Sequence, residues 1–106
     1  MVINAEAVNQ TAISYVSDVR KAMPIDRVFL FGSCAKGTAD EHSDIDLCFF
    51  SRSFENQRSV DVIVQLMKLA HKYRGFDIEP HVFPTSELNN DNPFVKEILR
   101  TGKELL

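Results

Sequence analysis

The sequence predicts an α+β fold, an α/β sandwich in which a small mixed sheet carries helices. Short, bulky, mostly apolar runs at 27–31, 45–50 and 76–83 read as strands. Segments with apolar residues at helical spacing lie around and between them, at 4–23, 60–74 and 94–99. The alternation of the two kinds of segment argues for helices packed on a sheet. At 106 residues the chain is expected to form a single domain, residues 1–106, with a core of its own.

Each element has a local reason. In 4–23 the positions Val8, Ala12, Tyr15, Val16 and Val19 repeat as one helix face, Asn4 is a candidate N-cap, and Pro24 stops the run. Arg27–Phe31 is a buried strand that ends at Gly32. Ser33–Ser43 is small and polar, a loop or a short helix, and Ile45–Phe50 is the second strand. Ser51–Asn56 reads as a polar connection. From Val60 to Arg74 the residues Val60, Ile63, Val64, Met67, Leu69, Ala70 and Tyr73 suggest a helix packed on the core, with Gly75 as its stop. Phe76–Phe83 is a third strand, which Pro80 assigns to an edge or a strand end. After a loop at 85–91, Asn92 caps and Pro93 starts a short amphipathic helix with Phe94, Val95, Ile98 and Leu99 on its core face, closed by Gly102.

Composition narrows the function. Twelve Lys and Arg against fifteen Asp and Glu give a net charge of −3. A long nucleic acid is thus not an expected partner, because gripping many phosphates calls for a basic excess. The longest apolar runs, Val28–Phe31 and Leu47–Phe50, are four residues each. A membrane span takes about 20, so none is expected, and no basic stretch with an apolar core marks a signal peptide. Cys34 and Cys48 make no metal-binding spacing and are expected as free thiols of a cytoplasmic protein, with Cys48 in the core.

The chemistry concentrates between Phe31 and Leu47. Asp44 and Asp46 stand two apart at the start of a strand, which places their Cα atoms roughly 6.5–7 Å apart on one side. Such carboxylates can share a cation or hold two, and Mg²⁺ takes one or two carboxylates together with phosphate oxygens. Gly32 permits a sharp turn and a close backbone approach. A helical turn begun by Ser33 would offer a hydroxyl and free N–H groups to phosphate. Lys36 adds positive charge one turn on, and Gly37 lets the chain double back towards Asp44. Phosphate cradle and metal carboxylates then lie side by side, as nucleotidyl transfer requires.

Gly32-Ser33, Ala35-Lys36-Gly37 and Ser43-Asp44-Ile45-Asp46-Leu47 resemble the signature of the polymerase-β-like nucleotidyltransferase superfamily, and most closely its minimal, single-domain branch. Lys36 stands where that family more often has Arg, so charge is kept and the bidentate fork is lost. The resemblance implies the nucleotidyltransferase fold, two Mg²⁺ ions held by Asp44, Asp46 and a third carboxylate on the following strand, and ATP as substrate. Along 76–83, alternation puts Asp77, Glu79, His81 and Phe83 on one face, towards Asp44 and Asp46. The Ile-Glu-Pro-His context favours Glu79 as the third acid and general base, with Asp77 as the runner-up. The resemblance also implies a protein partner, a helical HEPN-type toxin that an antitoxin of this branch adenylylates on a tyrosine.

Other readings stand beside these. His42 and His81 read as surface residues, or as neighbours of ligands, rather than as a ligand pair. Cys34 reads as a small residue filling a tight turn, and Tyr15 and Tyr73 as core positions rather than AMP acceptors. A module that neutralises a partner by binding alone, and a small-molecule nucleotidyltransferase, are the alternative functions. A homo-oligomer is left open.

Overall fold

The structure is a computed structural model that describes residues 5–36 and 44–105, with the side chains of Ala5 and Lys36 outside the description. Helix α1 spans Ala5–Ala22, strand β1 Arg27–Phe31, helix α2 Ser33–Lys36 and strand β2 Ile45–Phe50. Helix α3 spans Ser59–Ala70, strand β3 Ile78–Phe83, helix α4 Pro93–Thr101 and strand β4 Lys103–Leu105. Single 3₁₀ turns at Arg52–Asn56 and Thr85–Leu88 complete the path. None of the described helices is long and apolar enough to cross a membrane.

The strands form one sheet in the order β3-β2-β1-β4. β1 runs antiparallel to β2 and to β4, while β2 and β3 are parallel, so the sheet is mixed. A parallel pair cannot be joined by a hairpin, and α3 supplies the crossover. Pro80 is tolerated because β3 is an edge strand, as the sequence predicts.

Helices cover both faces. On one, Val8, Ala12, Tyr15, Val16 and Val19 of α1 and Val62 and Leu66 of α3 pack on Val28, Leu30, Ile45, Leu47 and Phe49. The α1 face is thus the one its spacing predicts, whereas the Asn4 cap lies outside the described residues. On the other face Val95 and Ile98 of α4 pack on Phe29, Cys48 and Phe50. Burying each Val, Leu, Ile or Phe side chain among them contributes about 1.5–3 kcal/mol relative to exposure. Asn92 caps α4 by accepting from the Phe94 and Val95 N–H groups at 3.0 and 3.3 Å, ahead of Pro93.

Four expectations need correction. The helix expected to Arg74 ends at Ala70, where tighter bonds such as Tyr73 N–H to Ala70 O close the last turn before Gly75 (φ +90°). The inward face of α3 is set by Val62 and Leu66, leaving Val60, Val64 and Met67 exposed at 52%, 47% and 48%. This helix is apolar around most of its girth, so spacing alone supports two registers and contact with the sheet selects one. On α4 Phe94 and Leu99 likewise stay partly exposed. Third, the polar connection after β2 hides Phe54 and is capped by buried Ser51, which accepts from Ser53 N–H. Fourth, β4 has no counterpart among the predicted strands; it pairs Lys103–Leu105 with Leu30–Val28, and Arg27 grips Glu104 with two bonds of 2.8 Å.

Candidate active site

Gly32 ends β1 with φ +74°, a left-handed conformation that favours glycine, and α2 begins at the next residue. Ser33 therefore starts a helical turn, as expected. A Cβ at Gly32 would lie 2.5 Å from Asp46 Oδ2, so the backbone of the turn passes directly against that carboxylate. The Cys34 thiol donates to the Asp44 carbonyl at 3.3 Å and ties α2 to the start of β2. Burial, then the charges of Asp46 and Asp44, push that thiol up and make it a poor nucleophile.

The parallel register places Asp46 opposite Glu79, and antiparallel pairing places Phe31 on the other side of Asp46. His81 follows Glu79 by two and shares its face. Its Nε2 is 4.0 Å from Asp46 Oδ1 and 3.9 Å from Glu79 Oε1. Ligand atoms of Asp46, Glu79 and His81 all lie within 4.8 Å of one another. Burial, then the Glu79 charge beside it, hold the Asp46 carboxyl above the usual carboxylate range, with His81 pulling the other way. A cation removes that repulsion, and two carboxylates of this geometry fit Mg²⁺.

The structure thus brings Asp46 and Glu79 together behind the Gly32–Ser33 turn. Asp44 is exposed and outside the tight group, yet it lines the adjoining groove with Asp77 and Glu79. Asp77 lies ahead of β3, its carbonyl accepting the Ile45 N–H at 2.7 Å, and its carboxylate is not in the group. Gly37 and His42 lie outside the described residues, as does the Lys36 side chain. Tyr15 is fully buried in the α1 stripe and donates to the Leu66 carbonyl at 2.7 Å, whereas Tyr73 lies beyond the end of α3, donates to Asp18 and packs half-buried against the core. Cys48 is fully buried in the α4 face of the core, and burial pushes its thiol up to about 12.

His81, expected as a surface residue or a neighbour of ligands, stands about a third exposed beside Asp46 and Glu79. Alternation along β3 was the available signal. The aromatic wall around it was not legible: Phe31 and Phe94 lie 5.2 and 5.7 Å from the imidazole, ring centre to ring centre. On the α3 side, Asp44 and Glu79 open onto a groove of about 550 Å³ that Met67, Tyr73 and Arg74 also line. That volume is in the range of small-ligand sites.

A family model described as a nucleotidyltransferase domain matches residues 13–102. No curated protein matches the chain. Among solved structures, a nucleotidyltransferase-like protein from Sulfolobus solfataricus is similar with a TM-score of 0.66 at 20% identity, over 94% of this chain and 80% of that one. The toxin–antitoxin pair MntA–HpeT is similar in two mutant forms. The tyrosine-to-alanine form has a TM-score of 0.58 at 21% identity, covering 98% of this chain and 72% of that chain. The double aspartate-to-glutamate form has a TM-score of 0.57 at 17% identity, covering 98% and 73%. These likenesses show a shared fold. With the family model spanning 13–102, on a mixed sheet that sets paired carboxylates beside a Gly-Ser turn, this chain belongs to the nucleotidyltransferase domain family.

Proposed function

We propose that this chain, as one minimal nucleotidyltransferase domain over residues 1–106, moves AMP from ATP to a hydroxyl acceptor in a Mg²⁺-dependent reaction in the cytoplasm. The acceptor we propose is a tyrosine of a HEPN-type toxin partner, which makes the protein an antitoxin. The observation that carries the transfer reading is Asp46 opposite Glu79 on parallel strands, directly behind the Gly32–Ser33 turn. The likeness to MntA–HpeT, a toxin–antitoxin pair, supports the partner class. The exposed residues Val60, Val64 and Met67 support a protein acceptor over a small molecule, since exposed apolar patches mark interaction sites.

In this reading Asp44, Asp46 and Glu79 would hold Mg²⁺, which would supply positive charge against that developing on the phosphate oxygens. Gly32 lets the backbone approach the triphosphate, and the Ser33 hydroxyl and Lys36 bind its oxygens, with Gly37 in the same nucleotide-binding stretch. Glu79, on an exposed strand edge, accepts the proton of the attacking hydroxyl. The acceptor oxygen bonds to the α-phosphorus, the bond from that phosphorus to the bridging oxygen breaks, and pyrophosphate leaves. In-line positioning and charge stabilisation supply most of the acceleration in such transfers.

The test mixes the protein, the product of its neighbouring gene and Mg-ATP, and weighs the partner intact. The expected result is the mass gain of one AMP with the wild type and none with Asp44→Asn/Asp46→Asn. If the double variant protects cells from the partner as well as the wild type does, binding rather than transfer explains the function.

A further inference from the structure

We propose that His81 is a nitrogen ligand of the divalent ion held by Asp46 and Glu79, and that it turns this site towards Mn²⁺ over Mg²⁺. The nucleotidyltransferase reading supplies the ion; the nitrogen ligand follows from the geometry. Glu79 and His81 alternate along β3 and so point the same way, at Asp46 on the neighbouring strand. The gaps from Nε2, 4.0 Å to Asp46 Oδ1 and 3.9 Å to Glu79 Oε1, are too long for hydrogen bonds. They suit atoms that converge on a third body. An octahedral ion at roughly 2.1 Å from each ligand sets neighbouring ligand atoms about 3 Å apart. Closing each of the two gaps from Nε2 by about 1 Å reaches that spacing.

The imidazole is placed for this on a strand, with Phe31 edge-on at 5.2 Å and Phe94 at 5.7 Å fixing its plane. It is about a third exposed, so the site stays open to a further ligand such as a phosphate oxygen. A nitrogen among the ligands changes the preferred metal. Mg²⁺ is a hard ion that takes oxygen ligands and retains water. Imidazole favours first-row transition ions over Mg²⁺, and among them Mn²⁺ stands nearest to Mg²⁺ in taking carboxylate and water oxygens.

The deciding experiment loads the full chain with Mn²⁺, without nucleotide, and records electron spin-echo modulation. Directly bonded ¹⁴N is expected in the wild type and lost in both His81→Gln and His81→Asn, with far-UV circular dichroism verifying their folds. By calorimetry the wild type should prefer Mn²⁺ over Mg²⁺ by about tenfold or more, and H81Q should lose most of that preference. Absence of ¹⁴N modulation in the wild type, its persistence in H81Q, or failure of Mn²⁺ to bind each overturns the proposal. Nitrogen ligation without AMP transfer leaves this inference standing and removes the transferase reading. AMP transfer with oxygen-only Mn²⁺ does the reverse.

Discussion

Gly32→Ala is expected to separate activity from stability. At φ +74° an alanine occupies the left-handed region, which costs about 1–2 kcal/mol. Its Cβ would meet Asp46 Oδ2 at 2.5 Å, against about 3.4 Å for ordinary contact, so the carboxylate must retreat by about 0.9 Å. The atom that gives way is the end of a side chain rather than backbone, and the clash therefore adds little to the loss of stability. A folded domain usually has 5–15 kcal/mol in hand, so the variant should stay folded. In urea, where slopes run at about 1–3 kcal/mol per M, the midpoint should fall by about 1 M. Activity is another matter, because a ligand displaced by about 1 Å can lose a factor of about 10². AMP transfer should fall by about that factor, and calorimetry should show weakened divalent-ion binding. Adding G32A to Asp46→Asn should then remove little more, since the displaced group is already gone. A G32A protein with cation affinity and transfer within about threefold of the wild type would refute the contact between this turn and Asp46.

Glu79→Gln should lower AMP transfer by about 10²–10⁴-fold, as for a lost general base, while Asp77→Asn should stay within about tenfold; the opposite ranking would assign the proton to Asp77. Tyr15→Phe removes a buried donor to the Leu66 carbonyl and should cost about 0.5–1.5 kcal/mol in urea unfolding with transfer unchanged; an unaltered midpoint would contradict that bond's worth. The Lys72 ammonium and the Tyr73 hydroxyl, both bonded to Asp18, hold its carboxyl below the ordinary value of 3.8. A lowered folded value contributes stability above the unfolded one, lost as pH falls through the folded one. The melting-temperature gap between wild type and Asp18→Asn should accordingly persist at neutral pH and close below about pH 3.8; a gap constant down to pH 3 argues against it.

Much of the fold was legible because its signals are local. The α1 stripe, the runs that became β1 and β2, and the Asn92-Pro93 start of α4 each lie within a few residues and follow one period. The failures are non-local. α3 carries two apolar stripes, and only contact with the sheet selects the one holding Val62 and Leu66. β4 is three residues long, too short for a period, and exists because β1 offers it a partner. The same division runs through the site. Gly32, Ser33, Asp44 and Asp46 sit within one contiguous stretch, so their spacing could be read directly.

The fold class, the candidate acids and the family resemblance follow from residue type and short spacing, which are local in the chain. Tertiary structure alone decided what those acids meet. Alternation put Asp77, Glu79 and His81 on one face, and the β2–β3 register brought Glu79 and His81, not Asp77, to Asp46. It also set the Gly32 backbone against the Asp46 carboxylate. Register depends on how hydrogen bonds and buried faces match between strands far apart in the chain, and a one-residue slip would turn each side chain to the other face.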